Sequence, residues 1–210
     1  MDKQVKVIIF DLGRVLVDFD HRLAAKKISE LTGKTSQHIF DLFFDSPLIQ
    51  SFEQGKISPE DFFAQVSRML GLRISFEQFL PIWNQIFFFS EENKSVYALG
   101  KSLKNSYRLA LLSNINVLHF DYLKLSFPVF DIFQDIFASY QMGYIKPEPE
   151  IYCKAISSLG VLPEEIFYVD DRPELIDQAI KLGIRGFVFK GAGQLKIDLA
   201  SCGITCDEKS

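Results

Sequence analysis

Val5-Lys6-Val7-Ile8-Ile9-Phe10-Asp11-Leu12-Gly13 is an apolar, β-branched run that stops at a carboxylate and passes into a glycine turn. Six residues are too few for a helix of ordinary length, and the run does not alternate with polar residues. It therefore reads as a strand buried on both faces, the signature of a parallel sheet. Arg108 to Leu112, ending at Ser113-Asn114, and Ile166 to Val169, ending at Asp170-Asp171, have the same form. Ile136 to Ala138 and Gly186 to Phe189 are weaker examples. Between these runs lie helical patterns, such as Ile151, Ala155, Ile156 and Leu159 on one face. Strand alternating with helix predicts an α/β fold built on a doubly wound parallel sheet.

The alternation fails between about Val17 and Ser95. Helical stretches such as Leu23 to Leu31 and Pro59 to Leu70 follow one another there without a convincing buried strand. Large apolar residues are frequent in this segment: Phe40, Phe43, Phe44, Phe52, Phe62, Phe63, Trp83, Phe87 and Phe88. The segment is expected to be a helical insertion with its own small core, carrying residues 17–95, while 1–16 and 96–210 form the α/β core. Glu53 to Gly55, followed by Ser58-Pro59-Glu60-Asp61, reads as a turn before a capped helix.

With 210 residues, 48% of them hydrophobic, the chain can bury a substantial core. A formal charge of −4 without any basic block offers no footprint for nucleic acid or an anionic membrane. No stretch approaches the roughly 20 apolar residues of a bilayer span, and the opening residues lack the pattern of a secretory leader. The expectation is a soluble, cytoplasmic protein, monomeric or at most a weak homodimer. Cys153, Cys202 and Cys206 form no paired metal or redox motif and are assigned no chemistry.

In an open parallel sheet, ligands bind beyond the carboxyl ends of the strands. The polar residues placed there are Asp11, Ser113-Asn114 and Asp170-Asp171, joined by Lys146 in the loop Tyr144-Ile145-Lys146-Pro147-Glu148-Pro149. Each alone has an ordinary structural reading, since an aspartate or serine after a strand commonly caps the next helix and a loop lysine is commonly solvated. Together they supply a carboxylate nucleophile, groups for phosphate oxygens, a cation, and carboxylates for a hard metal ion.

The segments Phe10-Asp11-Leu12-Gly13-Arg14-Val15-Leu16, Leu112-Ser113-Asn114, Lys146-Pro147-Glu148 and Val169-Asp170-Asp171 resemble the four ordered motifs of the haloacid dehalogenase superfamily. The opening motif and the Asp-Asp pair are similar to the branch that contains α-glucose-1-phosphate phosphatase and the phosphatase domain of soluble epoxide hydrolase. The insertion falls where that superfamily places a helical cap. The resemblance implies a magnesium-dependent hydrolase of a small phosphorylated metabolite, a sugar phosphate foremost, acting through an aspartyl-phosphate on Asp11. It also implies Mg2+ held by Asp11, the Gly13 carbonyl, Asp171 and Asp170. Lys146 offsets the charge, while Ser113 and Asn114 hold the transferring oxygens. Arg14 either pairs with substrate or bridges to a carboxylate of the insertion.

Most phosphatases of that superfamily carry an aspartate general acid two residues after the nucleophile, where this chain has Gly13. Asp18, Asp20 and His21 are the nearby substitutes, with capping of the first inserted helix as their ordinary reading. Leu175 stands where relatives often have a polar residue. Two competing functions follow: a metal-independent dehalogenase, which Asp170-Asp171 argues against, and a non-catalytic binding protein that has lost turnover at Gly13.

Overall fold

The computed structural model describes residues 4–44 and 46–205; Cys206 and the side chain of Phe44 lie outside what it describes. A five-stranded parallel sheet forms the centre, from β1 (Val7–Phe10), β4 (Arg108–Ser113), β5 (Asp135–Ala138), β6 (Ile166–Asp170) and β7 (Arg185–Val188). Its order is β5-β4-β1-β6-β7. The chain builds outward from β1 on one side and then crosses to build on the other, which places the topological switch point at β1.

Alternate residues of each strand feed two different cores. Ile8, Phe10, Leu109, Leu111, Phe167 and Val169 pack on one face against α6 (Glu91–Leu103), α7 (Val117–Ser126) and α11 (Ala192–Ser201). Val7, Ile9, Ala110, Leu112, Ile166 and Tyr168 pack on the other against α9 (Pro149–Leu159) and α10 (Pro173–Lys181). Burial on both faces is why these runs are continuously apolar. Each fully buried side chain of this size is worth about 1.5–3 kcal/mol over leaving it exposed.

Residues 21–84 carry α1 (His21–Thr32), α2 (Ser36–Phe44), α3 (Pro47–Glu53), α4 (Pro59–Leu70) and α5 (Phe76–Asn84). They share an aromatic cluster in which Phe52 stacks on Phe62 at 4.2 Å and Phe43 meets Trp83 edge-on at 5.0 Å. The helix limits follow local chemistry. Asp20, Ser46, Ser58 and Ser75 accept backbone N–H groups at N-caps, and Gly33 and Gly71 close α1 and α4 in the left-handed conformation.

Two short strands unforeseen from the sequence join the insertion to the sheet layer: β2 (Asp18–Phe19) and β3 (Phe87–Phe88) pair antiparallel. The helical segment also rests on the core at its far side. The Ser139 hydroxyl, at the start of α8 (Ser139–Met142), donates to the Glu53 carbonyl at 2.6 Å and accepts the Ile115 N–H at 2.9 Å. Gln54 donates to Glu148 at 2.9 Å. Gly55 has φ +66°, and a Cβ there would lie 2.2 Å from the Tyr140 carbonyl oxygen, so only glycine permits this approach. Among the described residues no helix is long and apolar enough to cross a membrane.

Candidate active site

Register assembles the site. Phe10 lies beside Leu111 of β4 and Val169 of β6, so one step further Asp11 meets the ends of both neighbours. The Asp11 N–H donates to the Val169 carbonyl at 2.9 Å, which fixes the level of the carboxylate. Asp11, Ser113 and Asp170 are all buried there, and Asp171 is half-buried.

Lys146 enters this group from the loop before α9 with 3% of its surface exposed. Its ammonium donates to Asp11 Oδ1 at 2.7 Å, Asp170 Oδ2 at 2.6 Å and the Leu112 carbonyl at 3.0 Å. One buried cation thus serves two buried carboxylates. Desolvation works against the ammonium, but Asp11 and Asp170 outweigh it and raise the Lys146 pKa, so the lysine stays charged. Asp11 is pushed up to about 7, chiefly by burial, with Lys146 opposing and Asp170 and Asp171 adding to the rise. Burial and Asp170 also raise Asp171. The cluster has more negative charge than one lysine offsets.

Ligand oxygens of Asp11, Asp170 and Asp171 all lie within 4.8 Å of one another. Asp170 is already engaged: Oδ2 accepts Lys146 and the Tyr168 hydroxyl, and Oδ1 accepts the Arg172 N–H at 3.0 Å. Asp11 and Asp171 retain the available lone pairs. A set of hard carboxylate oxygens short of positive charge fits a hard divalent cation, and it does not fit a soft metal.

Asn114 has a position the sequence did not specify. Its side chain clamps the Lys146 peptide, accepting the Lys146 N–H at 2.7 Å and donating to the Lys146 carbonyl at 2.9 Å. That pair orients the loop that carries the ammonium and commits the Asn114 side chain to it. Tyr168 was also missed. It lies two residues before Asp170 on the same strand face, and that spacing is the signal that its hydroxyl reaches the carboxylate. Leu175 is buried core, and the polar support expected at that point comes instead from Tyr168 and the Arg172 amide.

Arg14 stands apart from the cluster. Its backbone is left-handed at φ 60°, its guanidinium covers the Phe19 ring at 4.4 Å, and it lies 3.9 Å from Asp18. Of the three candidates after the first motif, only Asp20 caps α1, accepting the Arg22 N–H at 2.9 Å. Asp18 pairs loosely with Arg14, and His21 turns inward. A cavity of about 70 Å³ opens between Gly13, Ser113 and Asn114 on one side and Phe19, His21, Glu53, Phe87 and His119 on the other.

Gly13 has its own constraint. A Cβ there would lie 2.8 Å from Phe19 Cε1, so the aromatic ring fills the space that a side chain would need. Gly13→Ala is expected to cost about 1–3 kcal/mol as overpacking, read as a lower urea midpoint, with the loss largely recovered in Gly13→Ala/Phe19→Leu.

His119 is structural. Its Nε2 lies 3.2 Å from the Trp83 carbonyl, which can only accept, so Nε2 carries the proton and Nδ1 accepts from Asn116 at 3.1 Å. Burial, with His21 adding, lowers its pKa to about 3. The folded state therefore binds fewer protons than the unfolded chain between the ordinary histidine value near 6.5 and 3. Stability from this group is present above pH 6.5 and is lost as pH falls toward 3, at up to about 1.4 kcal/mol per pH unit. A His119→Phe variant should show a flatter fall in melting temperature from pH 6.5 to 4.5 than the parent.

A parallel sheet with a buried Asp–Lys–Asp cluster at its switch point, and helices inserted after the first strand, defines an α/β protein with a carboxylate centre at its strand ends. The chain belongs to the haloacid dehalogenase-like hydrolases, whose family model matches residues 5–183. It is 31% identical over 189 residues to D-ribitol-5-phosphate phosphatase of Bacteroides thetaiotaomicron, covering 87% of this chain and 91% of that protein. A sesquiterpene phosphatase of Aspergillus oryzae is 26% identical over 94% of this chain and 93% of its own length. Among solved structures, a family enzyme from B. thetaiotaomicron in complex with magnesium and inorganic phosphate is similar, with a TM-score of 0.78 and 30% identity. That match covers 89% of this chain and 94% of the other.

Proposed function

We propose that this chain is a magnesium-dependent phosphomonoester hydrolase acting on a small phosphorylated metabolite, with sugar and polyol phosphates as the leading class. The observation that carries this reading is the Lys146 ammonium, 2.7 Å from Asp11 and 2.6 Å from Asp170, deep at the ends of β1 and β6. An aspartate nucleophile and a phosphate ester repel one another, and the approach of two anions needs compensating charge. Lys146 supplies part of it. Mg2+, held by Asp11, Asp171 and the Gly13 carbonyl with Asp170 behind them, would neutralise the remainder.

In this reading Asp11 attacks phosphorus, the alcohol departs, and water then hydrolyses the aspartyl-phosphate. Ser113 and the Asn114 main chain receive the equatorial oxygens, while the Asn114 side chain keeps Lys146 in place through its peptide. Residues 17–95 act as a cap over the core formed by 1–16 and 96–210. The cavity beside Gly13, Ser113 and Asn114 is lined on its far side by Phe19, His21, Glu53 and Phe87 of the inserted segment, which places cap residues where the alcohol of the ester would lie. The named relatives act on phosphate esters of quite different alcohols, which supports the shared phosphoryl chemistry and leaves the alcohol to the cap.

Phosphate release from a panel led by sugar and polyol phosphates tests the reading. Activity is expected with Mg2+, falling to background in excess chelator and returning on readdition of the metal. A panel left untouched in the presence of Mg2+ would refute it.

A further inference from the structure

The chain has a glycine where an acid two residues beyond the nucleophile would sit, and the fold shows what now takes up that space. The Phe19 ring lies 2.8 Å from where a Gly13 Cβ would be. A proton must nevertheless reach the departing alkoxide and leave the attacking water. The titratable side chains lining the cavity beside Gly13 and Ser113 are His21, Glu53 and His119. His119 has both ring nitrogens committed, one to the Trp83 carbonyl and one to Asn116. Glu53 arrives at the end of α3, and its carbonyl is pinned by Ser139.

We propose that His21 is the proton-transfer residue of this site, brought to the cavity by the Phe19 ring that displaces any acid from position 13. The imidazole packs against that ring at 5.1 Å and 57°, so one aromatic side chain closes the usual position and positions the substitute. His21 is the first residue of α1, directly after the Asp20 cap, and its placement depends on the same β2 turn that carries Phe19. This role rests on the phosphatase reading above.

The chemistry balances over two steps. Asp11 bonds to phosphorus as the P–O bond to the alcohol breaks, and the alcohol oxygen takes the proton of the His21 imidazolium. Water then bonds to phosphorus and gives its proton to neutral His21 as the P–O bond to Asp11 breaks, restoring the carboxylate, the imidazolium and free phosphate. The titratable groups around His21 are Arg14, which pairs with Asp18, and Asp20 before it, with Glu53 and neutral His119 lining the same cavity. In the ligand-free protein, burial, with Arg14 adding and Asp20 opposing, holds its pKa near 4. A phosphate dianion in the cavity reverses the local field and favours the imidazolium.

The test is pre-steady-state kinetics of the full chain with Mg2+, comparing p-nitrophenyl phosphate with an alkyl phosphate, ribose 5-phosphate. Nitrophenolate leaves without a proton, whereas an alkoxide does not. His21→Gln should therefore retain a burst of about one nitrophenolate per site and then turn over about 100-fold more slowly than the parent. On ribose 5-phosphate it should show no fast phase at all. In His21→Gln the burst itself reports a folded site, whereas Glu53→Gln should turn over both esters as the parent does, without a burst.

Turnover unchanged in His21→Gln, a burst in Glu53→Gln instead, or loss of both phases in His21→Gln and His21→Asn alike would overturn the assignment. A parent protein inactive on both esters would instead refute the phosphatase reading and this role with it.

Discussion

Asp11→Asn is expected to yield a folded protein whose phosphate release falls to background, a loss of about four orders of magnitude or more if the nucleophile is as central as in other covalent enzymes. Asparagine keeps the shape and can still accept from Lys146, now 2.7 Å from Asp11 Oδ1. What it loses is the charge that attacks phosphorus. The substitution also removes one of the clustered carboxylates whose ligand atoms sit within 4.8 Å. In chelator the variant should therefore be no less stable than the parent, and its gain in melting temperature on adding Mg2+ should be smaller. Melting curves with and without the metal, beside a phosphate assay, check both halves.

Lys146→Met should behave in the opposite way. Its ammonium is the shared partner of Asp11, which is 7% exposed, and of Asp170, which is fully buried. Removing one member of a buried ion pair costs about 3–5 kcal/mol, because the remaining charge is stranded. Here two are stranded, with only the Tyr168 hydroxyl and the Arg172 amide left on Asp170. Against a total stability of about 5–15 kcal/mol for an ordinary domain, that loss is large. Urea titration in chelator should show a much lower midpoint, partly restored by Mg2+, with activity absent throughout. An unchanged midpoint in chelator would mean that the pair carries little of the site's stability.

The two substitutions differ because nucleophile and cation hold unlike places in the same network. Asp11 is a surplus anion that the fold tolerates for its chemistry. Lys146 is the counter-charge without which the strand ends cannot keep their carboxylates buried. Activity alone would not separate them, since both variants should be inactive.

Much of this arrangement is legible before any coordinates. Within the runs at Val5 to Phe10, Arg108 to Leu112 and Ile166 to Val169, residues 7–10, 109–112 and 166–169 are buried on both faces and apolar, and the polar residue ending each run is the one at the ligand edge of the sheet. α4 spans Pro59 to Leu70 as its sequence implies, because Ser58 and Gly71 mark its ends by cap chemistry. The edge strands are read one residue out of place: Ile136 to Ala138 against Asp135–Ala138, and Gly186 to Phe189 against Arg185–Val188. Edge strands pair on one side and are less uniformly apolar, which blurs their limits.

What escapes the sequence depends on contacts between distant segments. β2 and β3 are two residues each, too short to carry any periodicity, and their pairing joins Asp18 to Phe88 across most of the insertion. The Asn114 clamp on the Lys146 peptide spans 32 positions. Asp18, Asp20 and His21 look alike as cap candidates along the chain. Only the fold separates the residue that caps from the one that pairs with Arg14 and the one that turns into the cavity.

Trapping the covalent intermediate is the most direct test of Asp11 as the acceptor of phosphoryl. Rapid acid quench of a single turnover with Mg2+, followed by borohydride reduction and peptide mass spectrometry, should find homoserine at position 11, absent in chelator and in Asp11→Asn. Substrate turnover on the same timescale with position 11 unmodified would contradict it, and would mean that water attacks phosphorus without passing through the carboxylate.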